Sequence, residues 1–161
     1  MRKIFHFDSP REWYHCDASV VSCFDNRFDA VTRKLLKRIG VTQPDPIKIA
    51  GGPKSLASPE QEFHRTFVLD QIHKSIRLHG TDRVMLMLHS DCGAYGRLAD
   101  GFHGDPEAES AHYHAELAAA TAFLKRGIPG IKVESYILDF DGAWLIEESG
   151  AASVGAGNHV E

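Results

Sequence analysis

No stretch of this sequence approaches the roughly 18 consecutive apolar residues that a membrane-spanning helix needs. The opening residues, "MRKIFHFDSPREW", hold no apolar core of the kind a secretory leader carries, so a signal peptide is not expected. Cysteine is scarce: three thiols, an odd number, do not make a disulfide framework. Without a leader they read as reduced thiols, and the cytoplasm is the expected location. Positive charge is not in excess either. The 18 Lys and Arg against 22 Asp and Glu leave a formal charge of −4, which argues against nucleic acid as a partner. The basic run "RKLLKR" (33–38) is broken by leucines and reads as a helix with a charged outer face. Repeats and low-complexity tracts are also missing.

What is present suits one globular domain over residues 1–161, with a loose tail from about residue 149. The chain is 43% hydrophobic and 25% charged, enough apolar material for one core without disulfides. Strands are expected at "ASVVSCF" (18–24), "PIKIAGG" (46–52), "RVMLMLH" (83–89) and "IKVESYILDF" (131–140). The third is apolar almost throughout, as a strand buried on both faces should be. Asp141-Gly142 then marks a hairpin into "AWLIEE". Helices fit between the strands. "DAVTRKLLKRIG" (29–40) aligns Val31, Leu35, Leu36 and Ile39 on one face. At 58–80, Ser58 as N-cap, Pro59 and Gln61 predict a capping box at the start of a long helix. Its Leu69, Ile72 and Ile76 share one face and Phe63 and Phe67 another, predicting burial on two sides. A third helix is expected from Asp105-Pro106 to Gly127. The alternation predicts an α/β fold with a mostly parallel central sheet of four or five strands flanked by helices.

Ligands of such sheets bind beyond the carboxyl ends of the strands. The first strand ends "CFDNR" (23–27) and the third "HSDCG" (89–93). If these strands are neighbours, Cys23, His89 and Cys92 meet and offer two thiolates and an imidazole. That donor set suits zinc in a tetrahedral site, though cobalt or iron could also occupy it. Three protein ligands leave a fourth position for water, or for Asp25, which would close the site. Otherwise Asp25 and Arg27 form an ion pair beside the metal, with Asp25 able to accept a proton from metal-bound water. Positions 25 and 27 would face the same way on an extended segment. The plainer alternative is a buried Cys23, a capping Asp25, a surface Arg27 and an inert His89 and Cys92.

With these motifs the sequence resembles the β-class carbonic anhydrases, which carry Cys-x-Asp-x-Arg on one strand and His-x-x-Cys-Gly on a later one. The similarity extends to "AGG" after the second strand and to the closing "IPGIKVESYILDFDGAWL", so it spans about residues 18–147. It implies zinc on Cys23, His89 and Cys92, and an Asp25–Arg27 dyad. It implies water ionising on zinc near pH 7 and attack on carbon dioxide to give bicarbonate. It also implies a homodimer or larger homo-oligomer. Some features depart from the family. Only about 17 residues precede the first strand, Lys48 stands where an Arg-Asn motif is usual, and Phe24 and Asn26 are bulkier than usual. These departures keep two alternatives open: the same zinc chemistry on another small electrophile, such as a carbon–sulfur compound or an ester, or a non-catalytic zinc-binding regulatory module.

Other residues carry weaker expectations. "HYH" (112–114), with Glu109 and Glu116 a turn either side of His112, reads as a solvated helix face before it reads as a second metal site. His103 is a candidate proton shuttle, with an ordinary pKa near 6.5. Tyr95 is a candidate pocket wall, Cys16 a free thiol, and Trp13 and Trp144 core or interface anchors.

Overall fold

A computed structural model describes residues 1–146 of the chain. The expected tail from about residue 149 lies outside the described residues. Five strands, β1 (Ala18–Cys23), β2 (Pro44–Ile49), β3 (Arg83–His89), β4 (Lys132–Leu138) and β5 (Ala143–Ile146), form one sheet. Its order is β2-β1-β3-β4-β5, with every pair parallel except the β4–β5 hairpin. The expected α/β class and mostly parallel sheet are therefore borne out. Pro44 and Pro46 both lie in β2, an edge strand, where a missing N–H is tolerated.

Strand alternation divides the core between the two faces of the sheet. Val21, Val84, Leu86, Leu88 and Ile137 point to one face. There they meet Leu56 of α2 (Lys54–Ala57), Val68 and Ile72 of α3 (Glu62–His79), and Tyr113, Leu117, Ala120 and Leu124 of α4 (Pro106–Gly127). Ala18, Val20, Met85, Met87 and Tyr136 point to the other face and meet Leu36 of α1 (Asp29–Arg38). β3 is buried from Val84 to His89, as its unbroken apolar run predicts.

The helix expected from Ser58 begins later. Ser58 instead ends the short α2, and α3 starts at Glu62 after Gln61, so no capping box forms. The Ser58 hydroxyl is committed elsewhere: it donates to Glu116 Oε2 at 2.6 Å, a tertiary bond that outcompetes a local cap. Asp105 and Pro106 do start α4, where the Asp105 carboxylate accepts the Glu107 and Ala108 N–H groups. Trp13 and Trp144 are 83% and 58% exposed, so neither anchors the core. Cys16 is a free thiol, fully buried. No described helix is long and apolar enough to cross a membrane.

Two consecutive glycines after β2 bring its loop against the end of β1. A Cβ at Gly52 would lie 2.7 Å from the Ser22 carbonyl carbon and 2.9 Å from the Cys23 nitrogen, and the residue has φ of +51°. Gly52→Ala is thus expected to push the end of β1 out of place and cost about 1–3 kcal/mol of stability, readable by urea unfolding.

Candidate metal centre

β1 and β3 pair in parallel with Ser22 opposite Met87, so β1 ends at Cys23 one residue short of the level at which β3 ends in His89. The chain reverses direction across the sheet here: β2 lies outside β1 while β4 and β5 lie outside β3. Such a switch point leaves a crevice at the strand ends. Cys92 follows His89 by one turn. The ligand atoms of Cys23, His89 and Cys92 all lie within 4.8 Å of one another. His89 and Cys92 are buried, 2% and 1% exposed, and Cys23 is half-buried.

His89 Nδ1 lies 2.9 Å from the Ser90 carbonyl oxygen, which can only accept, so Nδ1 carries the proton. In the neutral ring this leaves the lone pair on Nε2. That atom is buried and has no hydrogen-bond partner. An orphaned imidazole nitrogen facing two thiols fits a metal better than it fits a packed core. The sulfurs of Cys23 and Cys92 are 4.0 Å apart. Tetrahedral zinc with Zn–S bonds of about 2.3 Å spans sulfurs about 3.8 Å apart. The Cys23 and Cys92 sulfurs are in hydrogen-bond contact. Cys92 donates to Cys23, which pulls the Cys23 pKa down and pushes that of Cys92 up. Burial opposes charging of His89, but the Cys23 sulfur and the Ser90 carbonyl outweigh it and raise its pKa.

Asp25 and Arg27 do pair, though not by strand alternation. β1 ends at Cys23, and Asp25 caps a single 3-10 turn over Asn26–Phe28. The turn folds the guanidinium back onto the carboxylate: Nη2 donates to Oδ2 at 2.7 Å and Nε to both oxygens at 3.1 Å. Arg27 thereby draws the Asp25 pKa down to about 2. Asp25 Oδ2 lies 3.9 Å from His89 Nε2, beside the cluster rather than in it. Phe28, 4% exposed, stacks on the His89 ring at 4.4 Å and fixes its plane.

The two sequence motifs do not assign three of the contributors to this centre. Asp91, inside "HSDCG", accepts Arg27 Nη1 on Oδ2 at 2.8 Å. Glu109, 4% exposed, accepts the Asp91 N–H at 2.8 Å. Tyr113 donates its hydroxyl to Glu109 at 3.0 Å and accepts the Cys92 N–H at 3.4 Å. Glu109 and Tyr113 stand four residues apart on the apolar side of α4, a signal readable in the sequence. His112 and His114 are exposed, as a solvated helix face requires, but Glu109 and Glu116, expected on that face, are both buried. Glu116 accepts the hydroxyls of Ser58 and Tyr95. Among the described residues, the only His/Cys/Asp/Glu group that could hold a metal is Cys23, His89 and Cys92. His103 sits exposed in the loop before α4, in the left-handed region at φ +53°.

A family profile described as "Putative carbonic anhydrase" matches residues 14–147. An uncharacterized protein of Rickettsia conorii is 27% identical over 125 residues, covering 76% of this chain and 67% of that protein. The beta-carbonic anhydrase isoform I of the protozoan Trichomonas vaginalis superposes with a TM-score of 0.59 at 15% identity, covering 88% of this chain and 87% of that one. The apo form of a carbon disulfide hydrolase superposes with a TM-score of 0.51 at 13% identity, covering 92% and 89%. At these identities the structural likeness is one of fold, and the fold serves proteins named for two different activities.

If the cluster takes a metal, saturating zinc stabilises the folded chain: at a thousandfold excess over Kd the gain is about 4 kcal/mol. Thermal melts with and without zinc check this, and Cys92→Ser is expected to lose most of the shift.

Proposed function

The chain belongs to the carbonic anhydrase family, as a divergent β-class member, and from that premise we propose that it is a zinc enzyme that hydrates carbon dioxide to bicarbonate. The observation that carries this reading is the orphaned Nε2 of His89, within 4.8 Å of two cysteine sulfurs and flanked by an Arg-bound carboxylate. Cys23, His89 and Cys92 would hold the zinc, and Asp25 and Arg27 would serve the reaction beside it. Zinc bound there would supply a Lewis acid and a water that ionises near neutral pH.

The protein's own groups have separate tasks in this reading. Two thiolates balance the charge of a dication and, with His89, leave one tetrahedral position for a small molecule. Phe28 and the Ser90 carbonyl hold the His89 ring in one orientation and one tautomer. Arg27 draws the Asp25 pKa down to about 2, so the carboxylate is ionised at neutral pH. It is therefore too weak a base to take a proton at neutral pH. Its task is to accept a hydrogen bond at Oδ2 and orient the attacking group. Arg27 keeps that carboxylate in place with three contacts.

Exposed apolar side chains support assembly with further copies of the chain. Phe63 and Phe67 of α3 and Trp144 and Leu145 of β5 are each more than half exposed. The burial of α3 on two sides, expected from its two apolar faces, is thus half met within one chain.

Stopped-flow carbon dioxide hydration on protein of known zinc content tests the activity. The expected result is zinc-dependent turnover, with Asp25→Asn lowering kcat/KM by about 10²-fold at unchanged zinc content. Zinc-loaded protein without turnover contradicts the assignment. Parallel assays with carbon disulfide and an activated ester would then separate another electrophile from a non-catalytic zinc module.

A further inference from the structure

Arg27 is held from two sides. Its Nε and Nη2 grip Asp25, while Nη1 donates to Asp91 Oδ2 at 2.8 Å and Nη2 to the Asp91 carbonyl at 3.0 Å. Its guanidinium carbon also lies 5.7 Å from the ring centres of Phe28 and Phe140. Yet the Arg27 side chain is 39% exposed, and an ion pair so placed is by itself a weak restraint. Asp25 Oδ2, only 3.9 Å from His89 Nε2, has little distance to cover to join the cluster.

Asp91 is the rigid end of this arrangement. Its Oδ1 accepts the Leu98 N–H at 3.1 Å, and its own N–H donates to the buried Glu109 at 2.8 Å. Glu109 is fixed in turn by the Tyr113 hydroxyl. These bonds hold Asp91 at φ +56°, a left-handed conformation that few non-glycine residues adopt without such support. Arg97 Nε, at 3.9 Å, is the other cation near the Asp91 carboxylate.

We propose that Asp91, backed by Glu109, is a positioning residue that locks Arg27 onto Asp25 and so keeps the fourth metal position open to small molecules. This rests on the zinc reading of Cys23, His89 and Cys92. Asp91 does not touch the reacting atoms; it acts through Arg27. Releasing Arg27 on this side lets Asp25 swing onto the metal and close the site.

The substitution Asp91→Asn isolates the effect. Asparagine tolerates the left-handed backbone but removes the carboxylate charge, so the ion pair with Arg27 Nη1 is lost whichever way the amide turns, and its nitrogen also breaks the contact to Leu98 N–H or to Arg27 itself. The test uses full-length protein loaded with cobalt(II), whose visible absorption reports its ligands, titrated with azide. Wild type is expected to bind one cobalt and change its spectrum with azide. Asp91→Asn is expected to keep the cobalt and bind azide about tenfold more weakly, or beyond. Adding Asp25→Ala to Asp91→Asn is expected to restore the response, which a merely structural role for Asp91 would not produce. An unaltered azide titration in Asp91→Asn overturns the proposal and leaves the zinc reading standing. So does loss of cobalt from Asp91→Asn that Asp25→Ala fails to reverse. Wild type that takes no cobalt removes the zinc reading, and this inference with it.

Discussion

The parallel pairing of β1 with β3 is the constraint on which the rest of the site depends. Cys23 belongs to one strand end and His89 to the other, 66 residues later in the chain. The register with Ser22 opposite Met87 brings the two strand ends to within one residue of each other. Strand side chains alternate between faces, so a slip of one residue would turn every core residue of β1 to the wrong side. Val21 packs into the core on one face and Val20 into the core on the other, so side-chain packing on both faces, rather than a polar–apolar alternation, holds this register. The hydrophobic core thus sets the position of the thiol and the imidazole before any metal is considered. Gly52 contributes from the far side by letting the loop after β2 lie directly against the backbone of Ser22 and Cys23.

Charge is arranged around this point in two compartments. The sulfurs and the imidazole are packed on the core side, where burial discourages spare charge and the Cys92 thiol donates to the Cys23 sulfur. Asp25, Arg27 and Asp91 form a second compartment nearer solvent, with one guanidinium between two carboxylates. The arginine keeps both carboxylates ionised, lowering the pKa of Asp25 and of Asp91. The result is a negative group that is held still beside the cluster but is a poor proton acceptor.

Much of this was legible in the sequence because strong local signals agreed with one another. The apolar run of β3, the Asp105-Pro106 helix start and the Asp141-Gly142 turn each have a local cause and appear as expected. The two metal motifs stood out because they fall at strand ends in an alternating pattern. What was missed depends on tertiary contacts. Ser58 looks like a helix cap until Glu116, 58 residues away, claims its hydroxyl. Glu109 and Glu116 look like surface acids until their partners are seen: the spacing of Glu109 and Tyr113 signals a pair on one helix face, but not that Glu109 bonds the Asp91 backbone. The Asp25–Arg27 contact was expected for the wrong reason: a 3-10 turn, not strand alternation, brings the two together.

The central claim is that two thiolates and one imidazole form an open zinc centre at the ends of β1 and β3. X-ray absorption at the zinc edge of the metal-loaded protein tests it most directly. The account predicts two sulfur scatterers at about 2.3 Å, one imidazole nitrogen at about 2.0–2.1 Å, and one further light atom. A zinc shell without sulfur, or with four sulfur and nitrogen ligands and no light atom to exchange, would contradict it.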